Sequence, residues 1–115
     1  MNYLIILNDP PYGTERSYNG LRLANALAKD EAGISVFMIG DAASCAVAGQ
    51  TTPNGYYNLE RMLKILSSKG GRIGVCGSCM DARGLKPDSL VQGAHRGSMD
   101  ELAAWSREAD KVIVF

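Results

Sequence analysis

The chain has 115 residues, an apolar fraction of 46% and a charged fraction of 21%, which suits one globular domain over residues 1–115. Twelve basic residues balance twelve acidic ones, so neither nucleic acid nor an acidic membrane surface is an expected partner. No apolar run approaches the roughly 20 residues of a membrane-spanning helix, so no membrane association is expected. Three cysteines are too few for a disulfide scaffold and predict a cytoplasmic protein in a reducing compartment.

The first half of the chain predicts two buried strands and two helices. Residues 3–7 form a continuous apolar run without a preceding basic segment, which indicates a strand and not a signal peptide. Apolar residues at helical spacing predict a helix over residues 14–29 that stops at Gly33. A second buried strand is expected at residues 34–39, followed by a short helix of small residues at 42–49.

The second half continues the alternation. An amphipathic helix is predicted over residues 57–68, and a third strand over residues 72–75 ends directly before Cys76. A short helix at 77–85 and a very short fourth strand at 90–93 are expected next. Ser98 and Glu101 have the spacing of a capping box, which predicts the start of a helix that runs to about residue 109. A final strand is expected at residues 112–115.

Strands that alternate with helices in this way predict a parallel sheet with helices on both faces. Ligands and catalytic groups of such sheets gather beyond the carboxyl ends of the strands. Here those ends carry Asn8, Asp9, Asp41 and Cys76, and His95 is expected on the loop after the fourth strand. The sequence does not fix the strand order, so which of these residues meet stays open.

The strongest chemical signal is the Cys76-Gly77-Ser78-Cys79 segment, because it follows a strand and opens a helix. Free backbone N–H groups at a helix start favour negative charge, so a thiolate there has a lowered pKa. Cys76 is the nucleophile candidate because it lies nearest the strand end, and Cys79 is the candidate for resolving a disulfide or persulfide on Cys76.

The neighbours of the pair are expected to tune this chemistry. Arg83 would add positive charge near the thiolate, and Asp81 would oppose it. Gly77 and Gly84 would let the backbone approach a substrate sulfur closely. Two other interpretations of the pair stay open. Both cysteines could simply pack in the core, or they could bind metal, although His95 would give only three ligands. We therefore predict neither a metal nor a cofactor.

Three stretches of the chain resemble the DsrE/DsrF-like family. These are the opening strand with Asn8-Asp9-Pro10, the segment from Gly40-Asp41-Ala42 to Tyr56-Tyr57-Asn58, and the segment from Val75 to Leu85 that contains both cysteines. The resemblance covers nearly the whole chain, and the family includes YchN-like proteins and the subunits of the TusBCD and DsrEFH sulfur-relay complexes.

The resemblance implies a three-layer α/β/α domain with a five-stranded parallel sheet, assembled as a homo-oligomer, usually a trimer or hexamer. In the sulfur-relay members, the cysteine just after the third strand carries a persulfide and passes it to a partner protein. Cys76 occupies that position here, so sulfur donor and acceptor proteins are the implied partners. Cys79 occurs in only some branches of the family.

Three functions therefore compete. The first is a persulfide carrier or sulfurtransferase that acts through Cys76, and the second is a dithiol oxidoreductase that cycles Cys76 and Cys79. The third is a ligand-binding or assembly module in which no cysteine reacts. Tyr56, in the loop at residues 50–57, is a candidate for a pocket wall or a subunit contact. Cys45 lies among alanines, which favours a packing role over a third redox cysteine.

Overall fold

The computed structural model describes residues 1–30 and 32–115. The strands are β1 (Asn2–Leu7), β2 (Gly33–Met38), β3 (Arg72–Cys76), β4 (Ala94–Gly97) and β5 (Lys111–Val114). The α-helices are α1 (Arg16–Ala28), α2 (Leu59–Ser68), α3 (Gly77–Ala82) and α4 (Met99–Glu108), and 3₁₀ helices span Gly40–Ala46 and Pro87–Ser89. No helix in the described part of the chain has both the length and the apolar character that spanning a membrane requires.

The described strands form one parallel sheet in the order β4-β3-β2-β1-β5, so the predicted α/β fold with five parallel strands is confirmed. Alternate side chains of each strand point to opposite faces. One face packs against α1 and α2 through a large apolar core. The other face packs against α4, where Leu102 and Trp105 contact Leu4 and Phe37. Cys76 belongs to this second, smaller core.

The fourth strand lies later in the chain than the sequence predicts. The expectation of a strand at residues 90–93 was wrong, because Leu90 and Val91 are buried core residues and Gly93 turns the chain with φ +98°. The strand that pairs with β3 is Ala94–Gly97 instead. It is an edge strand with largely exposed polar side chains, so it lacks the apolar run that marks the other strands. His95 consequently lies within this strand and not on a loop beyond it.

Two other local predictions also need correction. The first helix ends at Ala28, and Gly33 opens β2, where the side chain of Asn2 occupies the space that a Cβ would need. Ser98 caps α4 as expected by accepting a hydrogen bond from the backbone N–H of Glu101. The Glu101 carboxylate, however, contacts the His95 ring at 2.8 Å instead of completing the capping box.

Candidate functional site

The two cysteines lie where the chain leaves β3 and enters α3. Because β2 and β3 are adjacent in the sheet, the segments that follow them meet at its carboxyl edge. There the backbone N–H of Gly40 donates to the Cys79 sulfur at 3.1 Å. The Arg83 guanidinium holds the Asp41 carboxylate at 2.6 Å and the carbonyl of Cys79 at 3.0 Å. The structure therefore brings together Asp41, Arg83 and the cysteine pair.

Cys76 receives hydrogen bonds from within its own short segment. The Cys79 thiol faces the Cys76 sulfur at 2.7 Å, and the Cys79 backbone N–H donates to the same sulfur at 3.4 Å. The Ser78 hydroxyl lies 3.3 Å from it. The Cys76 residue is 8% exposed and belongs to the second core, so it is largely buried.

These contacts shift the pKa values of the two thiols in opposite directions. Burial raises the pKa of the Cys76 thiol, but hydrogen bonds from the Cys79 thiol, the Ser78 hydroxyl and the amides of Cys79 and Ser78 outweigh burial and lower it. For Cys79, burial and its hydrogen bond to Cys76 raise the pKa, and the Gly40 amide and Arg83 only partly offset them. The geometry thus favours a Cys76 thiolate that is hydrogen-bonded by a protonated Cys79.

The local hydrogen bonds matter more here than a long helix dipole. Cys76 is itself the N-cap of α3, and its sulfur accepts from the amide three residues on. Because α3 has only six residues, its macrodipole is small, and the stabilisation comes from the donors that face the sulfur directly.

Arg96 is a site residue that sequence reasoning missed. Its guanidinium donates to the Gly77 carbonyl at 3.0 Å and holds both carboxylate oxygens of Asp81, at 2.8 and 3.0 Å. This pairing lowers the pKa of Asp81 and raises that of Arg96. The charge of the Asp81 carboxylate is therefore balanced by Arg96, and the expectation that Asp81 opposes the thiolate was wrong. Arg96 also adds favourable positive charge near Cys76. Nothing in the local sequence of β4 signals this contact.

Gly77 allows two elements of the fold to pack closely. A Cβ at this position would lie 2.9 Å from both the Arg96 guanidinium carbon and the Gly97 carbonyl oxygen. The absence of a side chain therefore allows α3 to sit against β4. Gly84 has open space around its Cβ position and a φ of +66°, so it provides the left-handed turn after α3.

Asn8 and Asp9 organise their own end of the sheet and not the thiol pair. The Asn8 side chain donates to the Phe115 carbonyl, which ties the end of β1 to the end of the chain. The Asp9 carboxylate accepts from Thr14, and its carbonyl accepts from Ser17 and from the Cys45 thiol.

His95 contacts residues of α4, and Tyr56 is largely exposed. The His95 ring contacts Glu101 and packs edge-on against Trp105, with ring centroids 5.9 Å apart. Tyr56 lies in a turn, and its side chain is 69% exposed. The neighbouring Tyr57 instead forms a stack with Tyr12 and Tyr18 that joins two loops.

The described residues hold no group of three or more metal-ligating side chains. A cavity of about 200 Å³ lies at the opposite, amino edge of the sheet and is lined partly by Tyr3, Arg72 and Trp105. It is separated from the thiols by the length of the strands, so the candidate site is the carboxyl edge.

Comparisons with known proteins agree with this architecture. The model of the DsrE/DsrF-like family matches residues 1–115. The chain is 38% identical to the protein YchN of Escherichia coli over 97% of both chains. The crystal structure of YchN superposes with a TM-score of 0.94 at 37% identity, covering 100% of this chain and 99% of that one.

A more distant structure shares the fold alone. The protein MTH1491 from Methanobacterium thermoautotrophicum matches with a TM-score of 0.81 at 14% identity, covering 99% of this chain and 98% of that chain. The fold is thus kept where the sequence identity is low.

Proposed function

Because the chain belongs to the DsrE/DsrF-like family, we propose that it is a persulfide carrier that acts through Cys76. Family membership supports a role related to sulfur metabolism. The finer proposal depends on one observation, the set of hydrogen bonds that lowers the pKa of Cys76 although the residue is only 8% exposed. A stabilised thiolate is what attack on a sulfur donor requires.

The loading step balances without a cofactor. The Cys76 thiolate attacks the outer sulfur of a donor persulfide and forms a new sulfur–sulfur bond. The bond between the two donor sulfurs breaks, and its electron pair leaves with the donor as a thiolate. An acceptor thiol then takes the outer sulfur from Cys76 by the same exchange, which regenerates the Cys76 thiolate. Both donor and acceptor would be partner proteins or small thiols.

Mass spectrometry after exposure to glutathione persulfide tests this proposal. We expect a gain of one sulfur atom that maps to Cys76 and is removed by a reducing thiol. Cys76→Ser should lose the gain, whereas Cys45→Ser provides a matched control that should keep it. Sulfur on Cys45 alone, or on no cysteine of a folded Cys79→Ser variant, in which no disulfide with Cys76 can form, would contradict the proposal.

A second candidate is a dithiol oxidoreductase that cycles Cys76 and Cys79. The separation of 2.7 Å between the two sulfurs favours it, because only a small movement is needed to reach the roughly 2.05 Å of a disulfide. The two candidate functions differ in whether the protein takes up a sulfur atom. An oxidoreductase exchanges electrons with a substrate dithiol and takes up no sulfur, so the same mass measurement separates them.

We also propose that the chain forms a homo-oligomer, with a second copy as the partner. Exposed apolar side chains on the α4 face of the sheet support this assembly. Val112 and Val114 point outward from β5 and are 45% and 62% exposed, and Met99 at the start of α4 is 64% exposed. Light scattering of the wild type and of Val114→Glu tests the assembly, and a monomeric mass for the wild type would contradict it.

A further inference from the structure

The arrangement of the thiol pair supports a further reaction, which rests on the proposed function. We propose that Cys79 resolves a persulfide on Cys76: the Cys79 sulfur attacks the inner sulfur, a Cys76–Cys79 disulfide forms, and hydrosulfide is released. The chain would then release sulfide in addition to passing sulfur to an acceptor, and the choice between these outcomes would depend on whether an acceptor thiol arrives first.

The reaction balances within the loaded protein. A bond forms between the sulfurs of Cys79 and Cys76, and the bond between the Cys76 sulfur and the added sulfur breaks. The electron pair of the broken bond leaves with the added sulfur, which is reduced to hydrosulfide while the Cys79 sulfur is oxidised; the Cys76 sulfur exchanges one sulfur partner for another and keeps its oxidation state. The Cys79 proton is transferred to the departing sulfur through water. One turnover needs no other reagent, and each further turnover needs a dithiol to reduce the disulfide.

The position of Cys79 selects the inner sulfur as its target. The Cys79 sulfur lies 2.7 Å from the Cys76 sulfur and also accepts a hydrogen bond from the Gly40 amide at 3.1 Å. An added sulfur would extend one bond further from the backbone of Cys76. Attack at the near sulfur thus needs the smaller movement, and it produces a disulfide instead of moving the persulfide to Cys79.

Loading itself would activate Cys79. In the unloaded protein, Cys79 donates its proton to the Cys76 sulfur, and that hydrogen bond and the negative charge keep its thiol protonated. Once Cys76 carries a second sulfur, the charge moves to the added atom and the constraint on Cys79 weakens. The Gly40 amide and the Arg83 guanidinium remain, and both favour a Cys79 thiolate. The resolving thiol is therefore held inactive until a persulfide is present.

The experiment compares sulfide release from loaded proteins. Wild type, Cys79→Ser and Cys45→Ser are loaded with inorganic polysulfide, freed of excess reagent, and followed without reductant by a sulfide-selective electrode and by intact mass. We expect wild type and Cys45→Ser to release one hydrosulfide for each disulfide formed. Cys79→Ser keeps a hydroxyl donor beside Cys76 and should hold its persulfide at least about tenfold longer.

The possible outcomes separate this inference from the proposed function. A wild-type persulfide that lasts as long as that of Cys79→Ser would overturn the inference and leave the carrier proposal standing. Sulfur found on Cys79 itself would also overturn it, because that product requires attack on the outer sulfur. If Cys79→Ser takes up no sulfur at all, the carrier proposal itself fails.

Arg83→Gln provides a second measurement that does not depend on removing a cysteine. The guanidinium contacts the Cys79 carbonyl and lowers the pKa of Cys79. We compare this variant with wild type after both are loaded to the same extent, and we expect it to release sulfide more slowly, because less of the Cys79 thiol is ionised without the guanidinium. An unchanged release rate would overturn the activating role of Arg83.

Discussion

Cys45 and Cys76 follow neighbouring strands of the same sheet, yet their surroundings drive their ionisation in opposite directions. Cys45 is fully buried, and burial raises the pKa of its thiol to about 11, with only partial compensation from Ser17. Its proton is also used in a hydrogen bond to the Asp9 carbonyl. Cys76 is also largely buried, but four donors face its sulfur and lower its pKa. The number of donors that face a sulfur, and not its burial alone, decides whether the thiol is ionised.

We expect the largest difference between Cys45 and Cys76 in their rates of alkylation, measured across pH. A thiol with a pKa of about 11 is ionised to only about 10⁻⁴ at neutral pH. We therefore expect iodoacetamide to label Cys76 at least about a hundredfold faster than Cys45 at pH 7. As the pH is lowered, the labelling rate of Cys76 should begin to fall only at a lower pH than that of an ordinary thiol. Mass spectrometry measures both rates in one sample. Denaturant is the control, because unfolding should make the two rates similar.

The substitution Gly77→Ala should reduce the difference in reactivity between Cys76 and Cys45, because it forces α3 away from β4. The new Cβ would meet both the Arg96 guanidinium and the Gly97 carbonyl at 2.9 Å, and neither a strand carbonyl nor a paired guanidinium moves freely. We expect a loss of about 1–3 kcal/mol in the free energy of unfolding, together with slower labelling of Cys76. Urea denaturation measures the first effect. Gly13→Ala serves as the matched control, since its Cβ would meet only a proline ring atom at 3.2 Å.

The substitution Arg96→Gln should have a smaller effect that is specific to Cys76. It removes a positive charge that favours the thiolate and leaves the Asp81 carboxylate unpaired beside α3. Both changes raise the pKa of Cys76, so its labelling profile should shift to higher pH, and labelling at pH 7 should slow several-fold. Arg83→Gln is the control, because that guanidinium lies at Cys79 and Asp41. Equal shifts in the two variants would show that overall charge, and not position, is responsible.

Apolar patterns were enough to predict a parallel sheet with helices on both faces and the location of the thiols, whereas the expectation of five strands came from the family resemblance. Buried parallel strands require continuous apolar runs, and these runs marked β1, β2 and β3 and placed Cys76 at a strand end. The same rule failed for β4, because an edge strand does not need apolar side chains on either face. Its sequence Ala-His-Arg-Gly carries no pattern that distinguishes it from a loop.

The contacts around the site depend on which strands are neighbours, and the sequence does not contain that order in readable form. Gly40 reaches Cys79 because β2 lies beside β3. Arg96 reaches Gly77 across nineteen positions of sequence because β4 lies on the other side of β3. Asn8, Asp9 and His95 are polar residues near predicted loops, but their side chains form contacts within other parts of the fold, and Tyr56 is 69% exposed.

The edge position of β4 links the chemistry of the protein to an edge of the sheet. Only four residues pair β4 with β3, and this pairing keeps Arg96 beside α3. Short edge strands tend to exchange their amide hydrogens before the central strands do. Fraying of this one strand would remove the positive charge of Arg96 from the thiolate and separate His95 from Trp105. During warming, thiol reactivity and tryptophan fluorescence would thus change together, before the central strands unfold.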